Sequence, residues 1–168
     1  MVRVLLCLLL LPSALWAQSE MVTGKATPTE VVQKVREAAR YLSERGDKGL
    51  KEFEKPRGRF VWKDTFVWVT ECEQNYCLPN AKSQDIGLNL TQMKCQQTGK
   101  LYVLSLCDDL AAHPRGAWIE HWQPRAGFKD PQRKVSFMQQ VPNSRYQVTA
   151  EIYDATPIEA LYRISGSK

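Results

Sequence analysis

Three stretches of alternating apolar and polar residues in the last third of the chain constrain its fold more than any other sequence feature. They cover residues 117–123, 133–141 and 146–153, and each has the two-residue period of a β-strand with one buried face. The short segments between them favour an antiparallel meander. Alternation predicts a core face made of Ala117, Ile119, Val135, Phe137, Val141, Val148, Ala150 and Ile152. His121 falls on the same face, where we expect a partly buried, hydrogen-bonded histidine.

The opposite face of the meander mixes aromatic and polar side chains, which is the composition of a small-molecule pocket. Its predicted members are Trp118, Glu120, Trp122, Lys134, Ser136, Met138, Gln147, Thr149, Glu151 and Tyr153, joined by Phe66, Trp68 and Thr70 from an earlier strand. A second, smaller core beneath the irregular segment 79–112 would give the same pattern, so both interpretations stay open.

Lys134 is the candidate for ligand contact, because an unpaired charge is costly to bury beside tryptophan rings. An anionic ligand would give it a partner. An internal salt bridge with Glu120 or Glu151 would do the same, and a side chain that extends to solvent would need none. The predicted ligand-binding residues are therefore Lys134, which would pair with the anion, and four aromatic residues that would form the pocket walls: Trp68, Trp118, Trp122 and Tyr153.

A long amphipathic helix is predicted before the strands. Thr27-Pro28-Thr29-Glu30 forms a capping box with proline at the first helical position. Apolar residues then recur at helical spacing as far as Leu42, and Gly46 is a natural stop. Further predicted elements are strands at 59–63 and 65–71, a helix at 100–110 and a short last helix that begins at 156–159. This order of elements predicts an α+β fold.

The strand residues also resemble a known family. Residues 116–122, 132–137 and 146–153 are similar to the Gly-x-Trp-Val-x-Tyr-Trp, Lys-x-Ser-Tyr and Gly-Ile-Tyr patterns of Cache domains, a PAS-like group of extracytoplasmic ligand sensors. The resemblance spans roughly residues 27 to 155 and is closest to the single Cache branch, with His121 and Phe137 at two positions where the family usually has tyrosine. It implies a PAS-like Cache fold, with a long N-terminal helix packed on an antiparallel sheet of about five strands.

The resemblance also bears on the site. The lysine of the family's Lys-x-Ser-Tyr pattern lies near the ligand, which implies a ligand contact for Lys134. The family's His-Pro motif does not transfer, because His113-Pro114 stands at a different place and residues 78–80 read Leu-Pro-Asn where the motif would fall.

Residues 1–17 have the features of a secretory signal: Arg3 near the start, an apolar run over residues 4–11 and a cleavage site at Ala14-Leu15-Trp16-Ala17. The apolar run is shorter than the roughly 20 residues of a membrane helix, so an uncleaved anchor is the less favoured alternative. We therefore predict a signal peptide at 1–17, a single Cache-like domain at 18–168 with no membrane-spanning segment, and a periplasmic or secreted location.

Four cysteines remain after that cleavage, and an even number in an exported chain predicts two disulfides. Three pairings are open. We favour Cys72–Cys77 with Cys95–Cys107, because residues 73–76 fit a polar hairpin loop that would place the first two sulfurs opposite each other. A zinc site would need closer ligand spacing, and a redox-active dithiol would need a Cys-x-x-Cys motif.

The charges exclude some classes of function. The chain has 23 basic and 18 acidic residues, a net charge of +5, and they are scattered along the sequence. Without a Lys/Arg stripe, nucleic acid is a poor candidate partner. Neither Gly-x-Ser-x-Gly nor His-Glu-x-x-His occurs, and Ser136 has no base near it in the sequence, so we do not expect an enzyme.

The residues and the resemblance together predict an exported, non-catalytic, sensor-type domain that binds a small molecule and carries no cofactor or metal. The expected ligand is a small organic anion such as a short carboxylate. The expected signalling partner is a membrane receptor or another envelope protein. The alternative is a structural or interaction protein that has the Cache fold and no small-molecule ligand.

Overall fold

The computed structural model describes residues 24–78, 80–82 and 87–167. The predicted signal peptide at 1–17 lies outside these ranges and stays a prediction, as does the single domain at 18–168. Among the described helices, none combines the length and the apolar character that a membrane crossing requires.

The N-terminal helix, α1, spans Pro28–Arg45 and begins at the predicted capping box. Thr27 Oγ1 accepts a hydrogen bond from Glu30 N–H, and Glu30 Oε2 accepts one from Thr27 N–H. These bonds satisfy backbone donors that the first turn of a helix would otherwise leave open. A 3-10 helix at Gly46–Glu52 continues the chain. The buried stripe of α1 has the predicted spacing: Val31, Val32, Val35, Ala38, Ala39 and Leu42.

The strands are β1 (Val61–Trp62), β2 (Thr65–Glu71), β3 (Tyr76–Cys77), β4 (Ala117–Pro124), β5 (Pro131–Gln140) and β6 (Gln147–Ile152). Five of them form an antiparallel sheet in the order β1-β2-β6-β5-β4, and the short β3 pairs with β2 beside that row. Two further helices, α2 (Tyr102–Ala112) and α3 (Ile158–Ser165), lie where the sequence predicts helices. The prediction of an α+β fold, with a long helix on an antiparallel sheet of about five strands, is confirmed.

Helix α1 packs on one face of the sheet, mainly against β5 and β6, and α3 packs beside it on β4. This face holds the larger hydrophobic core, in which Val135, Phe137 and Val148 are fully buried as predicted. Burial of apolar surface here contributes the main favourable term in folding.

The two faces predicted for β4 are the reverse of those in the structure. The register pairs Trp118 with Phe137 and Trp122 with Arg133, so both tryptophans belong to the face of the sheet that α1 covers. Trp118 is 2% exposed, and its ring centroid lies 4.9 Å from that of Phe137. Alternation could not settle the orientation, because both sets of β4 side chains include large or apolar residues.

The other face of the sheet carries α2 and the segment 87–101. A second core lies between them and the sheet: Trp68, Cys77, Leu90, Tyr102, Val103, Leu106, Leu110, Ala117 and Met138 are all buried there. Both interpretations of this face therefore hold in part, since it contains a core as well as the cavity described below.

The predicted disulfide pairing is wrong. Cys72 is bonded to Cys107 of α2, whereas Cys77 and Cys95 are buried outside this bond. The reason is the register of β2 and β3, which places Thr70 opposite Cys77 and leaves Cys72 beyond the pair. The disulfide that forms instead ties α2 to the end of β2.

Gly116 precedes β4 and has φ +114°, a backbone conformation that residues with a Cβ rarely adopt. A Cβ built at this position would lie 2.2 Å from Cζ of Phe137. Glycine is thus required both by the turn into β4 and by the phenylalanine packed against it.

Candidate functional site

A cavity of about 650 Å³ opens on the α2 side of the sheet. One wall comes from β2, β5 and the end of β6, and the segment 87–101 with the start of α2 forms the other. The volume falls within the usual range for small-molecule sites, about 300–1,000 Å³. The lining includes Asp64, Phe66, Lys82, Leu88, Met93, Lys94, Tyr102, Gln123, Lys134, Glu151 and Tyr153.

A buried polar cluster lies at the base of this cavity. The Lys134 ammonium forms an ion pair with Oε1 of Glu151, and the two side chains are 13% and 17% exposed. On the next strand, His121 Nε2 lies 3.0 Å from Ser136 Oγ and 3.5 Å from Glu151 Oε2. Because His121 lies opposite Lys134 across β4 and β5, four polar side chains meet on one face.

The Glu151 carboxyl is ionised by its neighbours. Burial by itself would raise its pKa, but the charge of Lys134 and a hydrogen bond from His121 outweigh that effect and hold the pKa far below its usual range. The pair therefore presents one negative and one positive charge to the cavity wall.

Tyr153 borders the cavity at the end of β6. Its hydroxyl donates to Pro124 C=O at 2.7 Å, and Lys134 Nζ lies 5.2 Å from the centre of its ring. Arg125 lies over the same ring, with Cζ 4.6 Å from the centroid. Burial raises the pKa of Tyr153, which favours the protonated phenol that donates this hydrogen bond. Cation–π contacts with these two cations fix the orientation of the Tyr153 ring at the cavity wall.

The structure brings together only part of the predicted site. Lys134 and Tyr153 line the cavity, and Lys134 makes the internal salt bridge with Glu151 that the sequence left as one alternative. Trp68 lies on the predicted face but is buried in the second core. Trp118 lies in the α1 core, and Trp122 borders a different cavity near the outer edge of β4.

One member of the site lies on a different face from the predicted one. His121 is hydrogen-bonded as predicted and fully buried, but it lies on the α2 side of the sheet, where it stacks on Tyr102 with ring centroids 3.7 Å apart. Ser136 does have a nearby base, His121. However, Ser136 is 1% exposed, and it shares the same histidine nitrogen with Glu151. This differs from a catalytic triad, in which the acid and the nucleophile bond opposite ring nitrogens. Assigning the faces of β4 correctly would have placed His121 on the same face as Lys134.

The ionisable groups around the cavity leave a positive balance. Lys82, Lys94 and Lys134 line it together with Asp64 and Glu151. Lys82 Nζ lies 5.5 Å from the centre of the Phe66 ring at the mouth. In the part of the chain that the structure describes, no three His, Cys, Asp or Glu side chains are grouped so as to hold a metal ion.

Known proteins resemble this chain in fold but not in sequence. No family model matches the sequence, and no curated protein matches it. Among solved structures, a periplasmic sensor domain of a chemotaxis protein has a TM-score of 0.55 at 18% identity, over 76% of this chain and 90% of that one. A Cache chemosensory domain studied for carboxylic acid recognition has a TM-score of 0.54 at 12% identity, over 76% of this chain and 88% of that one.

The fold is that of a Cache sensor domain. A methyl-accepting chemotaxis protein from Vibrio parahaemolyticus has the same architecture, with a TM-score of 0.50 at 15% identity over 73% of this chain and 80% of that one. The Cache resemblance predicted from the strand motifs is thus confirmed at the level of the fold. Within this fold, β5 carries Lys134, β6 carries Glu151, and Tyr153 follows the end of β6.

Proposed function

We propose that this chain is an exported, non-catalytic sensor domain that binds a small organic anion, such as a short carboxylate, in the sheet-side cavity. The observation that carries the proposal is a cavity of suitable volume whose ionisable lining has three lysines and two carboxylates. Such a positive balance attracts anions. The solved Cache domain studied for carboxylic acid recognition adds support from fold analogy alone.

In this proposal Lys134 is the anchoring cation and Tyr153 and Phe66 are aromatic walls. A ligand carboxylate at Lys134 competes with Glu151, which already holds that ammonium. Lys82 and Lys94 near the mouth then stabilise the incoming negative charge. Trp68, Trp118 and Trp122 support the fold around the site, and we do not carry their predicted ligand contacts forward as part of this cavity.

The first experiment is a thermal-shift screen of the mature chain with short carboxylates, amines and amino acids at matched ionic strength. Binding to the folded state raises the melting temperature with ligand concentration. We expect carboxylates to stabilise and simple amines to have no effect. A melting temperature that no carboxylate changes would contradict the proposal.

Two matched variants distinguish ligand contact from a purely structural role. Lys134→Gln removes the proposed anchor and should weaken carboxylate binding at least about tenfold, since charge-assisted hydrogen bonds contribute about 1.5–3 kcal/mol. Glu151→Gln removes the internal competitor and should tighten binding of the same carboxylate. Each Kd, measured by calorimetry, is compared after the variant's own folding has been checked. If both variants change the Kd in the same direction, Lys134 does not anchor the ligand.

A second candidate is an interaction module that has the Cache fold without a small-molecule ligand. It is favoured by the Lys134–Glu151 ion pair, which satisfies the lysine inside the protein. In that case the screen would leave melting unchanged, and a membrane receptor or envelope protein would contact the surface directly. For the sensor function, the same kind of partner would read a change in the segment 87–101 when ligand binds.

A further inference from the structure

Two residues on the outer edge of β4, Trp118 and Trp122, have backbone groups that are hydrogen-bonded by residues outside the sheet; these contacts are called the caps of the edge. Trp118 N–H donates to the Tyr162 hydroxyl at 3.3 Å, and that hydroxyl donates to Trp118 C=O at 3.2 Å. Trp122 N–H donates to Cys95 Sγ at 3.4 Å, and Trp122 C=O accepts from Gln96 N–H at 3.0 Å. Both outward-facing backbone pairs are therefore satisfied.

Glu120 lies between these two caps. Along an edge strand, every second residue points its backbone N–H and C=O away from the neighbouring strand. Trp118 and Trp122 do so, and Glu120 lies midway between them, so its N–H and C=O also point away from β5. Among the described residues, neither group has a hydrogen-bond partner. The Glu120 carboxylate is held aside by Arg133, with Oε2 2.8 Å from Nε. One donor and one acceptor are thus left open side by side.

A second cavity, of about 470 Å³, lies at this gap. Ile119, Trp122 and Tyr102 contribute apolar and aromatic lining, while Lys100 and Asp109 provide one positive and one negative charge. Glu120 also lines the cavity, but its carboxylate is neutralised by Arg133, which lies beside the lining. No charge of either sign is therefore in excess. This balance fits a neutral ligand, in contrast to the positive lining of the first cavity.

We propose that this second cavity binds a capped amino-acyl unit, such as one residue of a short peptide or an N-acylated amino acid amide. An extended residue presents its N–H and C=O on the same side, which complements the open pair at Glu120 as in strand addition. Its apolar side chain lies against Trp122 and Ile119. The Tyr162 and Cys95–Gln96 caps restrict the pairing to one residue, so the ligand is compact rather than a long strand.

The test uses N-acetyl-phenylalaninamide as probe and the mature chain as receptor. Glu120→Pro removes the outward N–H, and edge positions whose N–H faces away from the ladder tolerate proline. Glu120→Ala is the matched control, because it removes the carboxylate and keeps the N–H. Both variants lack the carboxylate and differ in the backbone N–H, so the Kd of Glu120→Pro is compared with that of Glu120→Ala by calorimetry. We expect Glu120→Pro to bind the probe about tenfold more weakly than Glu120→Ala does, the effect of losing one hydrogen bond.

A second control changes the ligand instead of the protein, so it does not depend on whether Glu120→Pro folds. The same probe with a methyl group on the residue's backbone nitrogen cannot donate to Glu120 C=O, and it should also bind about tenfold more weakly to the parent chain. In a ¹⁵N spectrum, the Glu120 amide should exchange faster than those of Ile119 and His121 and become protected by the probe. Absence of probe binding, or equal binding of both probes, would overturn the proposal. Neither result bears on carboxylate binding in the first cavity.

Discussion

The Lys134–Glu151 ion pair governs both the stability of the fold and the proposed ligand site. The two charges are mostly removed from solvent, so each depends on the other for compensation. Buried pairs of this kind contribute little when compared with apolar replacements, but losing one partner leaves an uncompensated charge. Replacing one partner is therefore expected to lower the free energy of unfolding much more than replacing both with apolar residues.

We expect Lys134→Met to lower the free energy of unfolding by about 3 kcal/mol, because the ionised Glu151 carboxylate loses its main partner. The double variant Lys134→Met with Glu151→Leu should recover most of that loss. Urea denaturation of the parent and the two variants measures the difference. The exposed pair provides the control: Glu120→Ala, which breaks the contact with Arg133, should cost less than about 1 kcal/mol. Additive losses in the double variant would argue against a coupled pair.

The depressed pKa of Glu151 predicts a specific pH dependence. In the unfolded chain its pKa is near the ordinary value of about 4.3, so the unfolded state takes up the proton first as the pH falls. The stabilisation is complete above that value and is lost as the pH falls toward the lower pKa of the folded state. Denaturation curves between about pH 6 and 2 should therefore show the parent losing stability relative to Glu151→Gln. A constant difference across that range would contradict this prediction.

Residue chemistry explains why the site could be predicted only in part. Lys134 and Tyr153 were found because a lysine and an aromatic residue stand out on a strand face with few charges. Glu151 was found as a member of that face and as one salt-bridge partner of Lys134. His121 was missed because its position depends on how β4 pairs with β5, and the sequence of β4 alone does not fix this register.

The turn into β4 depends on Gly116. Gly116→Ala should lower the free energy of unfolding by about 3 kcal/mol or more, because the new methyl group overlaps the Phe137 ring and φ is positive. Gly127→Ala is a matched control: its φ is +84°, but nothing lies within 4 Å of the built Cβ. We expect about 1 kcal/mol there, from backbone strain alone. Equal losses in chemical denaturation would mean that the contact with Phe137 relaxes without cost.

The disulfide between Cys72 and Cys107 connects β2 with α2. Peptide mapping under non-reducing conditions should recover a crosslink between the peptides that contain these two residues. Removing it by Cys72→Ala with Cys107→Ala should cost about 4 kcal/mol by the chain-entropy estimate for a loop of 35 residues. Recovery of a Cys72–Cys77 crosslink instead would contradict the structure. Thermal melting with and without reductant, on the parent and the double variant, measures the loss.

Elements with strong periodicity were predictable and the others were not. The capping box fixed the start of α1, and its apolar stripe identified the buried face. The meander followed from alternation and short turns. The disulfide pairing failed because it depends on the register of β2 with the two-residue strand β3, and so short a strand has too little pattern to specify a register.

The sheet separates two layers with different roles. The α1 and α3 layer is a continuous hydrophobic core, whereas the α2 layer combines a smaller core with two cavities that differ in charge. Fold similarity without a sequence match means that ligand identity has to come from experiments on this chain. The positive lining of one cavity and the neutral lining of the other define which compounds to try first.

The Tyr162 hydroxyl caps the edge of β4 from α3, and this has a consequence for self-association. A chain shortened before α3 would lose that cap and expose Trp118 N–H and C=O beside the open pair at Glu120. Adjacent open pairs on a strand edge are a template for pairing with a second copy. The last helix would then prevent oligomers from forming through this edge. Light scattering over a concentration series should show that the shortened chain dimerises. Tyr162→Phe, which loses only the hydroxyl, should dimerise more weakly.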